Sequence, residues 1–159
     1  LDPVEVVEQT EAFVRALIRM DPEGADQYRE ALRLFQSEVR VLDLRIREAL
    51  SPYQGEPFFV YHAAFGAFAG RYGLVERSLE VGGKEPSAKD LGRLIANGRK
   101  AGVRSIYVQP GTPQRSAEVL AESIGAKLMV LDPLSADWAR NLWVIADTLA
   151  TEFKMRDEK

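Results

Sequence analysis

Four short apolar stretches, "FFVY" at 58–61, "LVERSLEV" at 74–81, "VRSIYV" at 103–108 and "KLMVL" at 127–131, are spaced along the second part of the chain. A helical pattern separates each from the next, and this alternation limits the fold more than anything else in the sequence. Strands joined by helices cannot pair as hairpins, so they form a parallel or mostly parallel sheet with helices on both faces. The fold class is therefore α/β. "HAAFGAFAGRYG" reads as the first connecting helix, ending near Gly73, and Gly82 and Gly83 close the second strand. Ser87 with Asp90 three residues later forms a capping box for a helix that stops near Gly102. Thr112 as N-cap and Pro113 at the first helical position open the next helix, and "SADWARNLWVIADTLATEFK" supplies the last. Phe58, Phe59, Phe65 and Phe68 belong to the core, and Trp138 and Trp143 to the inner side of the last helix.

The region before the first strand reads as helix from residue 4 to 50 with one interruption at "DPEG", where Asp21 is expected to cap a new helix and Pro22 to start it. Tyr28, Leu32, Phe35, Val39, Leu42, Ile46 and Ala49 then recur at alternating spacings of four and three. Such a stripe serves either a coiled-coil seam or a long helix lying across a larger body. A helix from 22 to 50 is roughly 43 Å long at 1.5 Å per residue. The remaining hundred-odd residues form a globule about 34 Å across. The helix overhangs its own domain, which points to a second lobe. Two parts are expected: a helical segment at 1–50 containing the long helix from about 22, and an α/β lobe at 51–159.

Composition removes several function classes. The chain has 159 residues, 46% of them hydrophobic, with 24 acidic and 21 basic residues spread evenly to a net charge of −3. It has no basic face with which to hold nucleic acid. Cysteine is absent, so neither disulfides nor thiolate metal sites form. No apolar run of membrane-spanning length occurs. The opening "LDPVEVVEQT" has no initiator methionine and no secretion-signal pattern, and the chain reads as an excised fragment.

In an open α/β sheet, ligands bind beyond the carboxyl ends of the strands. Those turns contain His62, the only histidine, after strand one, Gln109 after strand three and Asp132 after strand four. An imidazole nitrogen and a carboxylate oxygen at one edge can both bind a divalent ion, and the nitrogen favours zinc and its neighbours over magnesium or calcium. The plainer alternatives stand beside this. A lone histidine at a strand end is more often a hydrogen-bonded structural residue, and an aspartate before proline is often a turn residue. Gln109 is a poor metal ligand and suits a hydrogen-bonding role. Zinc also wants three or four protein ligands, more than this chain supplies. Enzyme motifs fail: "GAFAGRYG" matches neither a dinucleotide nor a P-loop pattern, and no serine sits in a nucleophile elbow.

"FFVYHAAFGAFAGRYGL", "EPSAKDLGRLI", "VRSIYVQP" and "SAEVLAESIGAKLMVLDPLSADWARNL", taken in order and spacing, resemble the C-terminal lobe of the metal-binding solute-binding proteins of ABC transporters. "LDP" and "ALIRMDPEGADQYREALRLF" resemble the approach to that family's long interlobe helix. The resemblance implies a two-lobed, non-enzymatic receptor, periplasmic or lipid-anchored, that captures zinc (alternatively manganese) between its lobes and delivers it to a membrane permease. It implies two histidine ligands in a missing N-terminal lobe, the second of them just upstream of Leu1, with His62 as third ligand and Asp132 as fourth. Histidine at the third position favours zinc over manganese. No stable oligomer is required. Ala63 and Gln109 depart from the aspartate and glutamate common in the family, which leaves an adhesin-like or non-metal binding protein on the same scaffold as the alternative.

Overall fold

A computed structural model describes residues 1–80, 87–111 and 115–157. Helix α1 spans Pro3–Met20, and Asp2 caps it by accepting from the backbone N–H of Val4 at 2.8 Å. Helix α2, Ala25–Leu50, begins three residues later than expected, with Gly24 rather than Asp21 at its N-cap. Asp21 is already occupied: its own N–H closes the last turn of α1 on the Leu17 carbonyl, and its carboxylate accepts from Gly24 N–H and the Tyr28 hydroxyl. Pro22 lies in the turn between the helices and does not start α2.

The stripe on α2 is used within the chain. Val39 and Ile46 are buried and the others half-buried, on a helix that packs against both α1 and the last helix. The Phe35 and Trp138 rings meet there, with centroids 6.2 Å apart. Its other side leaves Leu34, Val41 and Leu44 exposed. One polar residue faces inward. Asp43 is buried and accepts from Arg71 Nε at 2.8 Å and from the Tyr72 hydroxyl at 3.0 Å. Arg71 also reaches Asp2 at 3.3 Å, so one guanidinium joins the start of α1, the middle of α2 and the helix after the first strand.

Strands β1 (Pro57–Val60), β2 (Val75–Ser78), β3 (Ser105–Val108) and β4 (Lys127–Val130) form one sheet in the order β2-β1-β3-β4, every neighbouring pair parallel. Helices α3 (Gly66–Tyr72), α4 (Ala88–Lys100), α5 (Arg115–Ile124) and α6 (Trp138–Asp157) connect and follow the strands. Alternation along β1 divides the core in two. Phe58 and Val60 pack with Ile46, Leu142, Ile145 and Phe153, while Phe59 and Tyr61 pack with Ile106, Leu120 and Ala121. The four expected core phenylalanines are all buried, and Trp138 and Trp143 pack against the first cluster. β4 is an edge strand and is mostly exposed.

Two boundaries differ from the sequence reading. α3 begins at Gly66, not at His62, because the N–H groups of Ala64 and Phe65 both donate to Glu76 Oε1 on β2, each at 2.9 Å. β2 ends at Ser78, where its pairing with β1 ends, three residues before the expected 81. Val81, Gly82, Gly83, Thr112 and Pro113 lie outside the described residues. The cap from Ser87 to the Asp90 N–H is present. α3 closes on Gly73, whose φ of +71° and close approach to the Gln54 side chain suit only glycine.

Candidate metal-binding edge

Because the strands run parallel, their carboxyl ends share one edge. His62 lies two residues beyond the end of β1, Gln109 one beyond β3 and Asp132 two beyond β4. The edge holds a fourth group that the sequence reading missed. Glu80 lies two residues beyond the true end of β2, and the Val60 to Ser78 register sets it level with His62. Extending β2 to 81 buried Glu80 inside a strand. The rule that found His62 and Asp132 would have found it with the correct strand end.

His62 Nδ1 and Glu80 Oε2 are 2.6 Å apart, with the imidazole 50% exposed and the carboxylate 17% exposed. Glu80 is further fixed through its backbone, which donates to the Tyr61 carbonyl and accepts from the Ser78 hydroxyl. A carboxylate can only accept, so the neutral imidazole donates from Nδ1 and keeps its lone pair on Nε2. That is the nitrogen left to bind an ion.

Asp132 uses one carboxylate oxygen locally. Its Oδ1 accepts from Leu134 N–H at 2.8 Å in an Asx turn, and its carbonyl accepts from Asn141 Nδ2 at 2.7 Å. Oδ2 is the oxygen the turn leaves over. The Gln109 amide nitrogen is buried and has no partner among the described residues.

The structure brings His62 and Glu80 into contact, whereas His62 and Asp132 follow strands that are not neighbours. β1 and β4 are separated by β3, which puts their strand ends about 10 Å apart. Among the described residues no three histidine, aspartate or glutamate side chains cluster closely enough to hold an ion. The clefts between β2 and α4, and between the amino ends of β3 and β4 and α6, contain none of the four edge residues. No helix among the described residues is long and apolar enough to cross a membrane.

A family model for the periplasmic zinc-uptake complex component A, ZnuA, matches residues 1–151. The zinc-binding protein AdcA of Streptococcus pyogenes serotype M3 is 31% identical over 136 residues, which are 84% of this chain and 26% of AdcA. The high-affinity zinc uptake system protein ZnuA of Bacillus subtilis is 28% identical over 138 residues, covering 84% of this chain and 43% of that protein. A crystal structure of ZnuA superposes with a TM-score of 0.92 at 34% identity, over 96% of this chain and 60% of the other. A zinc-bound ZnuA deletion mutant gives 0.89 at 33% identity, over 95% and 58%. The chain spans between a quarter and just over half of the curated relatives it matches.

Proposed function

This chain belongs to the ZnuA family of periplasmic zinc-uptake components, and from that premise we propose that it forms one lobe and the interlobe helix of a two-lobed receptor that captures zinc outside the cytoplasmic membrane and passes it to an ABC permease. The family is one of transport receptors, not of enzymes. Residues 1–50 are the helical arm and 51–159 the α/β lobe. Zinc is cargo here, held between the lobes, with manganese the lesser candidate because an imidazole ligand suits the softer ion.

His62 binds the ion through Nε2 and Asp132 through its carboxylate, with the remaining ligands contributed by an N-terminal lobe. The observation that carries this reading is the His62 ring itself: half exposed at the carboxyl edge of the sheet, with Nδ1 engaged and Nε2 left over. The separation of His62 from Asp132 fits a site completed only when a second lobe closes on this edge. Such a lobe would also meet the exposed Leu34, Val41 and Leu44 face of α2.

Isothermal titration of zinc into the protein and its His62→Ala variant tests the assignment. The variant is expected to bind at least tenfold more weakly; equal affinity in both rules His62 out as a ligand. Metal analysis of the intact receptor should find about one zinc per chain, and acidification should release it, since protons compete for both the imidazole and the carboxylate.

A further inference from the structure

The geometry points to Glu80 as the residue that positions His62 for the ion, an inference that rests on the reading of His62 as a zinc ligand. A histidine ligand must present the correct nitrogen as well as stand in the correct place. Free imidazole moves its proton between two nitrogens, and the ring turns about two bonds, so an unrestrained His62 would spend much of its time unable to bind through Nε2. The 2.6 Å contact from Nδ1 to Glu80 Oε2 removes both freedoms together. It holds the proton on Nδ1 and fixes the ring plane, which leaves Nε2 for the metal.

Two further features make this an organised support. The Val60 to Ser78 register places both residues two positions past paired strand ends, so the contact follows from how β1 and β2 align. Glu76, four residues earlier on β2, accepts from the N–H groups of Ala64 and Phe65 and so fixes the backbone directly after the ring. β2 and the residues just after it therefore hold the His62 turn twice, with Glu76 on its backbone and Glu80 on its side chain. Each carboxylate lies 11 to 18 residues from the groups it holds, and neither needs to touch the ion.

A chain with one histidine allows a direct test. In the uniformly nitrogen-15-labelled protein, long-range nitrogen–proton spectra at a pH where the ring is neutral report which nitrogen carries the proton, with no assignment ambiguity. The wild type is expected to show a single form protonated at Nδ1. Glu80→Gln, which keeps the side-chain length but can donate as well as accept, is expected to show both forms. Glu80→Ala is expected to lose the Nδ1 preference. Adding zinc should move the Nε2 resonance in the wild type, and the Glu80 variants should need about 10- to 100-fold more zinc for the same shift. A purely structural Glu80 would leave the tautomer unchanged. Circular dichroism identifies a variant that fails to fold, and Glu80→Gln covers that case for Glu80→Ala. If the folded variants keep the wild-type tautomer and zinc response, the positioning role is wrong while the receptor reading survives. A zinc response at Nδ1 also overturns it, because Glu80 would then compete with the ion. If zinc moves neither nitrogen in the wild type, His62 is not a ligand and both readings fall together.

Discussion

At the scale of single residues, Asp43 shows how much a buried charge depends on its partners. Burial pushes its carboxyl pKa up, but hydrogen bonds from Arg71 and Tyr72 outweigh burial and hold it below the ordinary 3.8. The pKa of both partners is raised, Arg71 mainly through its bond to Asp43 and Tyr72 mainly through burial. A carboxyl with a depressed folded-state pKa adds stability above its unfolded value and loses it as the pH falls toward the folded one. Stability is therefore expected to decline below about pH 4, and Asp43→Asn should flatten that decline in urea melts run across the acid range. At neutral pH, Asp43→Ala leaves Arg71 with Asp2 alone and should cost about 3 kcal/mol. A loss under 1 kcal/mol would mean that Asp2 takes over the guanidinium. None of this was legible in the sequence. Asp43 looks like any polar residue beside an apolar stripe, and its partner lies 28 residues away.

At the scale of elements, the sequence carried the order and type of nearly every helix and strand, because strand and helix periodicities differ and the glycines mark the ends. Where it failed, a long-range contact set the boundary. α3 starts late where Glu76, on a different element, accepts from the N–H groups of Ala64 and Phe65 just ahead of it. β2 stops early because its partner strand stops. The second error hid Glu80, so one misplaced strand end cost one residue of the candidate site. His62 and Asp132 were placed at the sheet edge because β1 and β4 end close to where their apolar runs end. Caps made from nearby residues were easier to read or to explain. Asp2 on α1 accepts from two backbone N–H groups, and Asp2→Ala should cost about 1 kcal/mol from capping, plus the loss of its Arg71 contact. Thermal melts of Asp2→Ala and Asp2→Asn separate the two effects, because asparagine restores the cap without the charge.

At the scale of the whole molecule, the parallel sheet separates the core into two clusters that share β1 and β3 but no side chains. Ile46→Val removes a methylene from one cluster and Ile106→Val from the other. Each should cost about 0.5–1.5 kcal/mol, and the double variant should equal their sum within about 0.5 kcal/mol. A larger departure in chemical denaturation would show that the sheet transmits strain from one face to the other. The parallel architecture followed from the sequence because the strand–helix alternation allows little else. The candidate site was less legible, since its residues follow different strands and only the strand order brings them to one edge.

The alternation along β1 has a consequence for insertions and deletions. Phe58 and Val60 face one cluster, and Phe59 and Tyr61 the other, so losing a single residue within the strand would exchange the two sets and carry His62 out of step with Glu80. Lengthening the segments between helices and strands moves nothing in that register. Counted in residues, β1 and β2 cannot change independently by even one.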